Sequence, residues 1–98
     1  MDEKKIQKAV DEFIKNPSWA EFYNNAPSKA CKRYVALNFY LSDNYSSILN
    51  DAAVLKALKK EQAELEEKFK LSDWKHLAKY APNNPGKKRI LEKIKELS

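Results

Sequence analysis

Apolar side chains recur at every third or fourth position of this chain, and no segment alternates between apolar and polar residues with a period of two. In the first segment, Ile6, Val10 and Phe13 fall on one stripe of a helix. A spacing of three or four places side chains on one face of an α-helix, whereas a half-buried strand needs strict alternation. The sequence therefore predicts an all-α protein of five or six helices.

The periodic segments also give the order of the helices. They are expected at about 2–15, 18–25, 28–42 and 51–70, followed by a helix–loop–helix unit over 72–97. Segment 28–42 is apolar on nearly all sides, which predicts a central buried helix, whereas 51–70 has one apolar stripe and a Lys/Glu-rich back, which predicts a long amphipathic helix on the outside. With one glycine and no linker-like stretch, residues 1–98 are expected to form a single domain.

Some helix starts carry residues suited to capping. Ser18 is predicted to cap the second helix, and Ser72 and Asp73 the fifth, because short polar side chains accept hydrogen bonds from the free N–H groups of a first turn. Ala81 to Asn84 are expected to form the loop before the last helix, which would start at Pro85 or Gly86.

Positive charge is concentrated in the last third of the chain. Residues 68–98 hold nine Lys/Arg and three acids, a net charge of +6, whereas residues 1–67 carry a net charge of −1. A basic end favours acidic partners such as nucleic acid, anionic lipid or an acidic protein. Seventeen of the nineteen cations are lysines, which argues against base-specific DNA recognition because that favours the bidentate guanidinium group.

No stretch of the sequence suits a membrane span. The longest uncharged apolar stretch covers 34–42, well short of the roughly 18 residues that cross a bilayer. The first residues are charged and no apolar segment follows them. A cytoplasmic location is therefore expected.

Two predicted helices begin with clustered cations, the unfavourable sign for that end of a helix dipole. Each such cation costs about 0.3–1 kcal/mol at low salt, but the free N–H groups there would also help to bind an anion. The alternative is that the cations extend into water, and Lys88 and Arg89 can also pair with Glu92. The candidate anion- or partner-binding residues are these two clusters and their basic or aromatic neighbours: Lys29, Lys32, Arg33, Lys75, Lys79, Lys87, Lys88, Arg89 and Tyr80.

Catalytic and metal sites find little support in the composition. One cysteine and one histidine are too few for a zinc site, and a single cysteine cannot form an internal disulfide. Cys31 lies beside two cations that would stabilise a thiolate, but its apolar helix face predicts burial; His76 falls opposite Trp74 and Leu77 and is expected to face water. The glutamates over 61–67 are flanked by Lys59, Lys60 and Lys68 on the polar side of the long helix, which indicates a solvated helix face. We therefore expect neither an enzyme nor a bound metal or cofactor.

The last two helices raise the possibility of a helix-turn-helix DNA-binding motif. Aligning Leu77 and Ala78 with the usual Leu-Ala of that motif places Pro82 at the turn glycine and Lys88 at a core-facing position. The turn would then need a different geometry. Non-specific phosphate contact by the same lysines needs only charge.

Residues 85–97 combine an opening Pro-Gly and a Lys-Lys-Arg run with an Ile/Leu stripe. This tail resembles the last helix of sterile alpha motif domains, which commonly opens with a glycine and basic residues. The resemblance implies a role in protein association, and in some cases RNA binding. The long charged helix at 51–70 departs from that family's short helices, so the sequence assigns no membership.

Two functional hypotheses follow. The first is a non-enzymatic interaction module that docks an acidic protein partner through the cationic helix starts, Trp74, Tyr80 and the last two helices. The alternative is sequence-tolerant nucleic-acid binding by the same surface. Phosphate binding should fall steeply with salt, whereas a partner held by a buried aromatic anchor should persist. The identity of the partner, the oligomeric state and the biological process stay open.

Overall fold

Residues 2–80 and 86–98 are described by a computed structural model, and all regular structure within them is helical. The predicted all-α class is therefore confirmed, with seven helices in these ranges rather than five or six: α1 (Glu3–Phe13), α2 (Pro17–Asn24), α3 (Lys29–Asp43), α4 (Tyr45–Leu49), α5 (Ala52–Glu67), α6 (Leu71–Tyr80) and α7 (Lys87–Leu97). The predicted loop at 81–84, Pro82 and the start at Pro85 lie outside the described residues.

The additional helix is α4, which lies between the segments 28–42 and 51–70, where the sequence predicted no helix. Asp51 separates α4 from α5, because its extended backbone leaves the helical region and its carboxylate accepts a hydrogen bond from the N–H of Val54 at 3.2 Å. At its other end α5 stops at Glu67, three residues before the predicted end. The N–H of Lys70 donates instead to Asp73 Oδ2 at 2.8 Å, so it is not available to continue the helix.

Two predicted caps are wrong. The cap of α2 is Asn16, whose side chain accepts from the N–H of Ser18, and Pro17 takes the first helical position, where a missing N–H does no harm. Helix α6 starts at Leu71 rather than after Asp73. Asp73 lies in the first turn and bonds back to Lys70, as the acidic partner of a capping box does.

Helix α3 packs against α1, α2, α4 and α5, and α6 packs against α7. Helix α3 contributes six buried residues: Cys31, Val35, Ala36, Leu37, Phe39 and Tyr40. The Cα radius of gyration is 13.2 Å, close to the roughly 13 Å expected of a compact 100-residue chain. None of the described helices combines the length and apolarity needed to cross a lipid bilayer.

Aromatic rings from α1, α2 and α3 meet around Phe39, which is 2% exposed. Its ring stacks on that of Phe13 with centroids 4.5 Å apart, and the rings of Trp19 and Phe22 approach it edge-on at 5.9 and 6.1 Å. Aromatic pairs of this geometry stabilise by about 0.5–1.5 kcal/mol beyond their burial. This cluster fixes α1 and α2 on α3.

Candidate functional site

A carboxylate of the chain itself compensates the positive charge at the start of α3. Ser28 caps the helix by accepting from the N–H of Cys31 at 3.1 Å, and its hydroxyl donates to Asp73 Oδ1 at 2.7 Å. Asp73 is 1% exposed, and its other oxygen accepts from the N–H of Lys70. One buried anion therefore lies at the N-terminal ends of both α3 and α6, where the helix dipoles favour negative charge.

Arg33 joins three helices. Its Nε donates to Glu61 Oε2 of α5 at 2.7 Å, and its two Nη atoms donate to the carboxylate of Glu3 in α1 at 2.8 and 2.7 Å. Hydrogen bonds from Arg33 lower the pKa of Glu3, and the two acids raise the pKa of Arg33. A guanidinium held by two carboxylates is engaged within the chain, so Arg33 serves the fold at the position where the sequence indicated anion binding.

The two lysines of this start are exposed. Lys29 and Lys32 line a groove of about 230 Å³ between α1 and α3, over an apolar floor formed by Ile6, Val10 and Ala36. Lys32 Nζ lies 4.8 Å from the centroid of the Tyr23 ring, a cation–π contact that leaves the charge accessible. These two cations can contact a partner.

The start of α7 has a different arrangement. Arg89 pairs with Glu66 of α5, with Nη1 donating to Oε2 at 3.0 Å, and its guanidinium lies 5.6 Å from the centroid of the Trp74 ring. The hydroxyl of Tyr34 donates to the same carboxylate at 2.9 Å. The acid raises the pKa of Arg89, and burial together with that acid raises the pKa of Tyr34. Arg89 therefore also fastens helices together.

Lys87 is half-buried and Lys88 is exposed, and neither pairs with a carboxylate of residues 2–80 or 86–98. The two cationic starts contribute to separate concavities. Lys29 and Lys32 line the groove beside α1, whereas Gly86 and Arg89 line a cleft on the opposite flank of α3, and none of the described residues lines both.

Helix α6 exposes Lys75 and Lys79, one turn apart on the same face. Lys79 Nζ lies 5.2 Å from the ring centroid of Tyr80. Tyr80 is only half-exposed, because its ring packs against Phe22 and His76 at 5.5 and 4.9 Å. Trp74 is 3% exposed, so its ring offers almost no surface to a partner.

Helix α7 carries a surface feature that the sequence analysis missed. Leu91 belongs to the Ile/Leu stripe of the last helix, yet its side chain is 49% exposed. Lys88 and Lys95 are exposed three residues before it and four residues after it, which places all three on one helix face. We call Lys88, Leu91 and Lys95 the lysine–leucine stripe. The spacing of these three residues can be seen in the sequence. The stripe was missed because the neighbouring Ile90 and Ile94 form a stronger apolar pattern.

The burial predicted for Cys31 is confirmed, since it is fully buried. Burial, aided by the charge of Asp73, raises the pKa of its thiol to about 12, so the thiolate is scarce at neutral pH. His76 is buried, contrary to the prediction, because α2 covers it: its Nε2–H donates to the carbonyl oxygen of Phe22 at 2.7 Å. Neither side chain is placed for nucleophilic or general-base chemistry.

The resemblance of residues 85–97 to the last helix of sterile alpha motif domains concerns a short part of the chain. Compared over its whole length with protein-family models, curated proteins and solved structures, the chain matches none of them.

Proposed function

We propose that this chain is a non-enzymatic interaction module that docks an acidic protein partner through its basic C-terminal helical surface. The observation that carries the proposal is the set of exposed lysines on α6 and α7 that make no ion pair within residues 2–80 and 86–98: Lys75, Lys79, Lys88 and Lys95, which we call the C-terminal lysines. These lysines, two of which flank the exposed Leu91 on α7, offer both charge and apolar area to a partner.

Two of the three acids in residues 68–98 are buried or paired, unlike the C-terminal lysines. Asp73 is buried at the junction of α3 and α6, and Glu96 pairs with Lys93 at 3.7 Å. Glu92 remains on the surface beside Leu91. Positive charge therefore dominates the part of the surface that a partner can reach, and it would steer an acidic partner toward α6 and α7.

Two features favour a protein partner over nucleic acid. Both arginines are held by carboxylates, so lysine point charges are left where nucleic-acid recognition favours the guanidinium group. The lysine–leucine stripe also places an apolar side chain between its cations, and Leu91 would lose its water shell more favourably against an apolar residue than against a phosphate backbone. An acidic segment with a leucine or phenylalanine at the centre fits this stripe.

Lys29 and Lys32 supply a second cationic patch on the other flank of α3. A small acidic peptide would use one of the two patches. A larger acidic partner could contact both, and the charge of each patch would then contribute to the rate of association.

The experiment is amide chemical-shift mapping of the labelled protein with two probes, a 15-residue Glu-rich peptide with a central leucine and a short single-stranded RNA. The peptide should shift the signals of Lys75, Lys88, Leu91 and Lys95 and should keep most of its affinity at physiological salt. The RNA should bind more weakly, with the steep log-linear salt dependence of phosphate contacts. Stronger binding of the RNA would assign the surface to nucleic acid, and no shift with either probe at low salt would contradict both functions.

Matched charge reversals sharpen the mapping. Lys75→Glu with Lys88→Glu should lower peptide affinity at least tenfold. Lys59→Glu with Lys60→Glu makes the same change in net charge on the exposed back of α5, where neither lysine has an ion-pair partner in the described ranges. Equal losses in the two variants would show that net charge alone attracts the peptide and would contradict a docking surface on α6 and α7.

A further inference from the structure

A cleft of about 410 Å³ opens along one flank of α3, between that helix and α1, α2, α5, α6 and α7. Most of its walls are aromatic or aliphatic: Phe13, Trp19, Phe22, Phe39, Leu77 and Ile90. Sites for small molecules are commonly clefts of about 300–1,000 Å³ with apolar walls and a few polar groups that fix orientation. The volume and the walls of this cleft meet that description.

Two side-chain amides are among the polar groups that line the cleft. Gln62 Nε2 donates to Asn38 Oδ1 at 2.9 Å, and both residues line the cleft. This bond uses one donor and one acceptor, and it leaves the Nδ2 group of Asn38 and the Oε1 atom of Gln62 without a partner among residues 2–80 and 86–98. Reversing both amides would leave the same pair, one donor and one acceptor, because the roles simply exchange.

These two groups can be reached from solvent. No fully buried side-chain nitrogen or oxygen lacks a hydrogen bond in the described part of the chain, so the unmatched amide atoms are not sealed in the core. Because Asn38 and Gln62 both line the cleft, a molecule inside it lies against both residues.

The dimensions favour a flat, compact occupant. Tyr34, Asn38, Leu41 and Ser42 share the face of α3 that lines the cleft, and the first and last are about 12 Å apart along the axis at 1.5 Å per residue. The aromatic end holds Trp19, 38% exposed, beside Phe39. A planar ring can stack among these side chains.

The charge of the cleft favours a neutral occupant. Arg89 is its only charged lining residue within residues 2–80 and 86–98, and Glu66 neutralises that guanidinium with two hydrogen bonds. An anionic ligand would have to displace Glu66, whereas a neutral ligand leaves the pair intact.

We propose that this cleft binds a neutral, planar aromatic or heteroaromatic molecule that carries a hydrogen-bond donor next to an acceptor, as a primary aromatic amide does. The ring packs between Trp19, Phe39 and Leu77, and its amide edge pairs with Asn38 and Gln62. This site shares no residue with the C-terminal lysines or the lysine–leucine stripe, so it stands or falls independently of the proposed docking function.

Benzamide and methyl benzoate are matched probes, because the ester keeps the ring and the carbonyl but lacks the N–H donor. Titrated into the labelled protein, benzamide should bind saturably and shift the side-chain amide signals of Asn38 and Gln62 and the indole N–H of Trp19. It should bind about tenfold more tightly than methyl benzoate, since a site that offers paired polar groups rejects an analogue that leaves one unmatched. Equal affinity of the two probes, or shifts outside the cleft, would overturn the proposal.

Replacing both amides tests their role directly. Asn38→Leu with Gln62→Leu removes both partners of one hydrogen bond, which a fold tolerates better than the loss of one partner. Both probes should then bind with equal affinity, because neither finds an amide partner in the cleft and benzamide loses its advantage. Gln7→Leu is the matched control, because Gln7 lies in α1 and lines the groove on the other flank of α3; it should change neither affinity.

A readout in the unaltered protein keeps the test decisive if the double variant does not fold. Intermolecular nuclear Overhauser effects should join the ring protons of benzamide to the side chains of Phe39 and Leu77. Contacts to surface side chains only, or linear shifts without saturation, would show non-specific association and would overturn the proposal.

Discussion

The starts of α3 and α7 carry the same signal in the sequence, a cluster of cations at the positive end of a helix, but the structure treats them differently. At α3 a serine cap, the buried carboxylate of Asp73 and two further acids around Arg33 surround the cluster. At α7 the N-cap position is Gly86, which has no side chain with which to cap, and a single acid holds Arg89.

The two starts distinguish charged side chains that pair within the fold from charged side chains that are exposed to solvent. Arg33 and Arg89 reach acids on other helices because the guanidinium group can make several directed hydrogen bonds at once. Lys29, Lys32 and Lys88 sit beside them and extend into solvent. A cationic helix start thus indicates a binding surface only after its arginines have been assigned to internal partners.

The largest effect is expected from removing the carboxylate that completes the α3 start. Asp73→Ala leaves the part-buried hydroxyl of Ser28 and the N–H of Lys70 without this acceptor, and should lower the free energy of unfolding by about 2–4 kcal/mol. Urea denaturation followed by circular dichroism measures this. Ser72→Ala, one residue away and exposed, should change stability by less than about 0.5 kcal/mol. A loss below about 1 kcal/mol for Asp73→Ala would mean that this carboxylate is not what stabilises the α3 start.

The next largest effect is a difference in stability between variants of the two arginines. Arg33→Met breaks contacts to two acids and should lower the free energy of unfolding by about 1–2 kcal/mol. Arg89→Met breaks contacts to one acid from a side chain that is 50% exposed, against 28% for Arg33, and should cost less than about 1 kcal/mol. Lys32→Met serves as the control for loss of a cation at the α3 start. If Arg89→Met lost as much unfolding free energy as Arg33→Met in urea denaturation, or more, the starts of α3 and α7 would not differ in this respect.

The helices could be predicted from the sequence because their apolar period is strong. Helix α3 was placed at 28–42 and is found at Lys29–Asp43, with Ser28 as its cap. The long helix was placed from 51 and begins at Ala52, but the short helix α4 before it was missed because five residues are too few to show an apolar period. Local patterning therefore gave the elements better than it gave their ends.

The site was less predictable, because its partners are distant in sequence. Glu61 and Glu66 looked like a solvated glutamate face, yet they hold Arg33 and Arg89, which lie 28 and 23 residues away. Burial of His76 depends on the carbonyl of Phe22 in α2, 54 residues earlier. Asn38 and Gln62 come together across α3 and α5 without any motif in the sequence. Contacts of this kind require the tertiary fold.

A smaller effect concerns the pH dependence of the α3 start. Arg33 holds the pKa of Glu3 below its ordinary value of 4.5. Because the folded-state pKa is lowered, this contact stabilises the fold at pH values above 4.5 and is lost as the pH falls through the folded-state pKa. A carboxyl-detected NMR titration should show the pKa of Glu3 rising toward its ordinary value in Arg33→Met and staying lowered in Arg89→Met. An unchanged pKa in Arg33→Met would show that another group lowers it.

The smallest effect tests the sign of the remaining charge at each start. Lys87→Gln with Lys88→Gln removes two cations from the positive end of α7, where no carboxylate of residues 2–80 or 86–98 pairs with them, and should raise the free energy of unfolding by about 0.5 kcal/mol at low salt. Lys29→Gln with Lys32→Gln should give no gain, because Asp73 already offsets the charge at α3 and Lys32 loses its contact with Tyr23. Urea denaturation at 10 mM and 1 M salt measures both pairs, and the gain at α7 should vanish at high salt because exposed charges are screened. Equal gains in stability at the two starts would show that Asp73 does not compensate the cations of α3. The contrast between the starts of α3 and α7 would then depend on the arginines alone.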